Sequence, residues 1–249
     1  PAILEDEIVG TNAKELYVDA LSMLNKIETE NLAKPKAVFG LFKANTVNDD
    51  TIELFDENDN KIEEFYTLRQ QAKKSKNQPN ISISDFIAPK DSSIQDYIGA
   101  FAVTAGQEIE EVAKAYETNL DDYNSIMVKA IADRLAEAYA EYLHKYVRTE
   151  VWGYAKDETL SNDDLIAEKY KGIRPAPGYP ACPDHLEKET IFKILEVEKN
   201  AGIELTSSLA MYPVSSVSGY YFGNPEAKYF GVGKLIMDQI EDFAKRNII

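Results

Sequence analysis

Four of the ten prolines in this 249-residue chain fall within ten residues, Arg174–Pro183 (RPAPGYPACP). No helix passes through such a run, and no central strand does either, because each proline lacks the N–H that a helix or ladder needs. The segment is therefore a rigid, irregular loop, and the fold has to be assembled from the elements on either side of it. Arg174 stands at its entrance, Gly178 lies within it and a helix start follows, which suits a small anionic group. Arginine offers a planar fork for a carboxylate, glycine admits close backbone approach, and flanking prolines lower the cost of ordering. A structural crossover loop packed on the surface would read the same way.

The flanking sequence alternates between the two periodicities. A helix is expected over Asn12–Asn31, where Leu16, Val18, Ala20, Leu21, Leu24 and Ile27 form an apolar stripe. Lys36–Val47, Thr51–Phe55 and Lys61–Tyr66 read as strands separated by Asn/Asp turns, an antiparallel meander. Tyr97–Thr104 reads as a central strand and Gln107–Asn119 as a helix. A long Pro-free helical pattern runs from Asp121 to Val151, with Met127, Ile131, Leu135 and Leu143 on one face. A short acidic helix is expected over Asn162–Lys171. Asp184, with Glu187 three residues on, predicts a capping box for a helix reaching Lys199. Ile203–Met211 and Ser215–Phe222 read as a last strand pair, and Val232–Arg246 as a closing helix. The pattern is one α+β domain, and a lobe boundary would fall near Asn77–Ser93.

Composition narrows the function. Lys and Arg number 27 against 43 Asp and Glu, a net charge of −16, which argues against a nucleic-acid partner. A hydrophobic fraction of 44% supplies a real core and excludes a disordered acidic tail. No stretch approaches the ~18 consecutive apolar residues of a membrane span. The acidic N-terminus shows no signal peptide, and Pro1 in place of an initiator Met suggests a piece of something longer. Cys182 is the single cysteine, so no internal disulfide or iron–sulfur cluster forms from this chain alone and a cytoplasmic setting is expected. Gly231-Val232-Gly233 lacks the third glycine of a dinucleotide loop, and no phosphate-binding loop or nucleophile elbow occurs.

Further candidates remain open at this level. Asp133, Glu137 and Glu141 share a helix face, where they could hold a ribose hydroxyl or an ammonium, or form a solvated face with Arg134 and Lys145. Cys182 and His185 have metal-like spacing but lack two further ligands, so no metal is expected. Gly219–Phe222 and Lys228–Phe230 could stack on a flat ring or simply fill core. Arg69–Lys76 is the only basic cluster, a docking patch for an acidic partner or a solvated loop.

Arg174–Lys188 (RPAPGYPACPDHLEK) resembles the C-terminal activation domain of cobalamin-dependent methionine synthase. Ile3–Gly10 (ILEDEIVG), Asp96–Thr104 (DYIGAFAVT), Asp121–His144 and Ser216–Phe222 (SVSGYYF) resemble the same family in order, so the likeness spans nearly the whole chain. The resemblance implies a C-shaped α+β domain around a central antiparallel sheet flanked by helices. It implies binding of S-adenosylmethionine, whose methyl group, with an electron from flavodoxin or an equivalent reductase, restores methylcobalamin from oxidised cob(II)alamin. The cobalamin belongs to another domain of the same enzyme, and the main catalytic modules lie outside this chain. Residue by residue, Arg174 is implied to hold the ligand carboxylate. Pro175, Ala176, Gly178 and Tyr179 form the motif walls; Glu137 is a binding-site carboxylate, Tyr229 and Phe230 an aromatic pair beside the ligand, and His185 a motif histidine. No catalytic base and no metal are implied. The family's aspartate in an upstream Asp-Trp-Thr-Pro segment has no counterpart here, so residues 1–249 are expected to be the activation domain without its N-terminal segment. An alternative is a stand-alone module docking on a separate corrinoid protein.

Overall fold

A computed structural model describes residues 2–247. Its centre is a five-stranded antiparallel sheet of β1 (Lys36–Val47), β2 (Thr51–Phe55), β3 (Lys61–Tyr66), β4 (Asp96–Thr104) and β7 (Ser216–Tyr221), in the order β3-β2-β1-β4-β7. The meander read from the sequence forms one half of it. Three helices pack on one side: α1 (Gly10–Thr29), α2 (Glu108–Thr118) and α3 (Asp122–Tyr146). The other side is covered by α5 (Glu187–Ile194), α6 (Val197–Ala201) and the segment around Ile83–Ile87. A short α4 (Asn162–Ile166), a two-stranded ribbon β5 (Glu204–Leu205)–β6 (Met211–Tyr212) and α7 (Met237–Arg246) complete the chain.

Central β4 explains why DYIGAFAVT reads as apolar on both faces. Ile98, Ala100 and Ala102 face the α5 side, while Phe101 and Val103 face α3. β7 divides likewise, with Tyr220 and Phe222 on one side and Tyr221 on the other. The small side chains Ala132, Ala136 and Ala140, buried at four-residue spacing, let α3 lie close to the sheet. Past Tyr146 the helix widens into a π turn, Val147–Val151, closed by Trp152 N–H donating to Val147 O at 2.7 Å.

Several expected elements differ, each for a local reason. The acidic helix stops at Ile166 because Glu168 takes a left-handed φ of 53°, and Lys169 N–H caps back onto Asp164 O. The capping box at Asp184 does not form: Asp184 Oδ1 accepts from Leu186 N–H, and Glu187 opens the helix with its side chain buried. Glu196, at φ 46°, then divides the expected long helix into α5 and α6. Ile203–Met211 does not pair with Ser215–Phe222. Instead, Thr206 N–H donates to Ala210 O, so the chain reverses into the β5–β6 ribbon and β7 is left to pair with β4. The closing helix begins only at Met237, because Val232 N–H is tied to Pro180 O and Val232 is buried. On α1, only Met23 and Ile27 of the apolar stripe's neighbourhood are buried, while Leu16, Val18 and Leu21 are exposed. Asn77–Ser93 sends Ile83, Phe86 and Ile87 into the main core.

Glu187 carries a pH dependence. Burial above all, with Asp184 adding to it, raises its carboxyl from 4.5 to about 8. The folded protein thus keeps a proton that the unfolded chain releases near pH 4.5. The stability gained from neutral Glu187 is complete below pH 4.5 and is lost as pH rises through about 8. Denaturant unfolding followed between pH 5 and roughly pH 9 should show stability falling by up to a few kcal/mol. Glu187→Gln should flatten that slope; an unchanged slope would refute the assignment.

Candidate functional site

The free edge of β7 is where the proline-rich segment lands. Ile173 exchanges two backbone hydrogen bonds with Phe222, and Tyr220 N–H donates to Pro175 O at 2.9 Å. Arg174–Ala176 therefore runs along the sheet edge, with prolines placed where no ladder N–H is missed. Gly219 makes this possible: a Cβ there would stand 2.6 Å from Pro175 O. Gly219→Ala is expected to push the loop outward, costing about 1–3 kcal/mol and weakening any ligand held by the loop. Thermal melting with a parallel ligand titration checks it, and an unchanged melting temperature would contradict the packing.

Beyond Ala176 the loop closes on itself. Gly178 N–H donates to Cys182 O at 2.8 Å, and the Cys182 thiol donates to Ala176 O at 2.8 Å. Burial pushes that thiol up to about 12, so the cysteine serves as an internal tie without thiolate chemistry. Gly178 has φ 95°, and the His185 ring lies over it so closely that a Cβ would stand 2.2 Å from His185 Cε1.

Between this loop and α3 opens a cavity of about 520 Å³, well within the range of small-molecule sites. Glu137, Arg174, Pro175, Ala176, Tyr179, Tyr229 and Phe230 line it, together with Phe101, Glu168, Pro180, Ala181 and Val217. Seven of the nine residues singled out from sequence thus share one cavity. Gly178 and His185 do not line it; they pack on each other behind the loop. Of the acidic trio on α3, Glu137 lines the cavity. Asp133 accepts from Ser215 Oγ at 2.7 Å, and Glu141 accepts from Arg174 Nη2 at 2.7 Å.

The polar groups have a consistent arrangement. Arg174 N–H donates to the Tyr229 hydroxyl at 3.1 Å, and that hydroxyl meets the Tyr170 hydroxyl at 3.2 Å. Arg174 Nε and Glu141 Oε1 are both buried without a partner among the described residues. One cation and two carboxylates, Glu137 and Glu168, therefore face a cavity with aromatic and aliphatic walls. Such a set suits a flat, apolar-bodied ligand that carries a carboxylate and a net positive charge. Among the described residues no group of three or more His, Cys, Asp or Glu could hold a metal ion.

A family model for the vitamin B12 dependent methionine synthase activation domain matches residues 1–248. The chain belongs to that family. A crystal structure of the MetH reactivation domain bound to AdoHcy is similar to this chain, with a TM-score of 0.95 and 54% sequence identity, and the match covers 100% of this chain and 77% of that one. The chain is accordingly the activation domain of a cobalamin-dependent methyltransferase, methionine synthase. Membership also explains the absent dinucleotide fingerprint: the site is built on a sheet edge and a proline loop, without a glycine-rich turn leading into a helix.

Sequence reasoning missed Glu168 and Tyr170, and left Glu141 open between a binding and a solvated role. Glu168 reaches the cavity through the left-handed turn that ends α4, a conformation its residue type does not announce. Glu141 did carry a signal, since positions 137, 141, 144 and 148 repeat at steps of four, three and four along one helix face.

Proposed function

We propose that the cavity binds S-adenosylmethionine and presents its methyl group for reductive reactivation of the cobalamin held by another domain of methionine synthase. The observation that carries this reading is the Arg174 guanidinium, fixed in the cavity wall with Nε unpartnered, opposite the carboxylate of Glu137. A ligand carboxylate on Arg174 would satisfy that buried donor. Glu137 and Glu168 would favour the ligand's positive charges, while Tyr179, Tyr229 and Phe230 offer ring faces to its purine. The structural relative was crystallised with AdoHcy, the demethylated form of the same ligand, which supports binding of this ligand class by the shared fold.

Bound adenosylmethionine would supply an already activated methyl group. The chain's own residues then need to bind and orient, with no proton to move, and orientation is a large part of such a reaction. The partners that fit are the cobalamin-binding domain of the same enzyme and flavodoxin or an equivalent reductase as electron source. The acidic surface, net −16, supports the absence of a nucleic-acid partner. No helix of the described residues is long and apolar enough to cross a membrane. The unpaired, buried Cys182 supports a cytoplasmic setting.

Calorimetric titration of the chain with adenosylmethionine tests the proposal. One ligand bound per chain is expected, with affinity falling as salt rises, because charged contacts contribute. No saturable heat at millimolar ligand would overturn it.

A further inference from the structure

Arg174 is held at two points, directly by Glu141 and through Tyr229 by Tyr170, and neither Glu141 nor Tyr170 lines the cavity. Glu141 takes its Nη2 at 2.7 Å, and Tyr170 shares a 3.2 Å hydrogen bond with the Tyr229 hydroxyl that receives Arg174 N–H. Glu141 and the two buried residues that pack against Tyr170, His144 and Arg148, follow at steps of three and four along α3 and its π turn. The His144 ring lies face to face with Tyr221, centroids 5.1 Å apart, and edge-on to Tyr170 at 4.9 Å. The Arg148 guanidinium sits 4.7 Å over the Tyr170 ring and is itself fixed by two 2.7 Å bonds to Glu158. The Tyr170 ring is therefore gripped from two sides, which leaves its hydroxyl one place to be. Burial first, then the bond to Tyr229, pushes this phenol above its usual range, so it keeps its proton.

We propose that Glu141 and Tyr170 are positioning residues: together they fix the side chain and main chain of Arg174, so that its guanidinium is oriented before the ligand carboxylate arrives. The proposal rests on the reading that the cavity binds adenosylmethionine. An arginine left free would lose much of its rotamer freedom on binding, and the clamp removes that cost in advance. Glu141 occupies Nη2 while Nε stays unpartnered, so the carboxylate of the protein and that of the ligand have separate donors. A competing latch, in which Glu141 blocks the ligand, would give the opposite sign when Glu141 is neutralised.

The test titrates the wild-type chain, Glu141→Gln and Tyr170→Phe with S-adenosylhomocysteine and with 5′-methylthioadenosine, the same nucleoside thioether without the amino-acid end. Each variant should weaken homocysteine-ligand binding by roughly three- to tenfold. Methylthioadenosine binding should change by less than about twofold, a difference that general structural damage would not produce. Tyr170→Leu, which removes the ring as well, should weaken binding further and lower the melting temperature, while Tyr170→Phe keeps it. Tighter or unchanged binding by both variants, or equal losses for both ligands, overturns the clamp. A wild-type chain that binds neither ligand overturns the functional reading beneath it.

Discussion

Arg174→Ala is expected to weaken adenosylmethionine binding by about 100-fold or more. A charge-assisted contact in a sheltered site contributes roughly 1.5–3 kcal/mol per hydrogen bond, and Arg174 has only a fifth of its side chain exposed, at 19%. The loss also releases Glu141, whose Oε2 gives up its cation while Oε1 already lacks a partner. Stability should therefore fall as well, by about 1–3 kcal/mol, with the sheet intact because Arg174 sits on its edge. Arg174→Lys should recover little affinity, since a point charge cannot engage both a carboxylate and Glu141 as a planar fork does. Calorimetry and thermal melting of the two variants together check this. An affinity within about threefold of wild type for Arg174→Ala would refute the role given to the guanidinium.

The largest stability effect is expected deeper in the same layer. Arg148 is fully buried and Glu158 nearly so, with side-chain exposures of 0% and 6%, joined by two 2.7 Å bonds. Removing one partner strands a charge in the interior, which typically costs 3–5 kcal/mol, about a third or more of a domain's stability. Glu158→Gln or Arg148→Met should thus lower the melting temperature by roughly 10 °C. Replacing both, as Arg148→Met with Glu158→Leu, should restore most of it, because no buried charge remains. A double variant as unstable as either single one would mean that the pair's attraction, and not the stranded charge, dominates.

Most of the architecture is legible in the sequence, because its signals are periodic. β1, β2 and β3 are bounded by Asn/Asp turns and occupy their expected residues, and α3 shows its spacing over more than six turns. The failures are of two kinds, one local and one tertiary. The helices expected over Asn162–Lys171 and Asp184–Lys199 are cut short by left-handed Glu168 and Glu196, residues with no intrinsic preference for that conformation. The strand pairing of Ser215–Phe222 was lost because β7 finds a longer partner in β4, a choice made by tertiary packing.

The site divides in the same way. Residue pattern pointed to the proline loop and left Glu137, Tyr229 and Phe230 as open candidates; the family resemblance singled those three out, and all of them line the cavity. His185 and Gly178 stood in the same motif yet serve each other, showing that motif membership does not distinguish wall from buttress. Arg174's attachment to Glu141 and, through Tyr229, to Tyr170 depends on contacts 33 and 59 residues apart in sequence, which no local spacing encodes.

A crystal structure of this chain with adenosylmethionine would show directly where the ligand sits. The ligand is expected in the cavity between Arg174–Ala176 and Glu137, its carboxylate within hydrogen-bonding distance of the Arg174 guanidinium and its purine against Tyr179, Tyr229 or Phe230. A ligand seated elsewhere, or one in this cavity with its carboxylate turned away from Arg174, would contradict it.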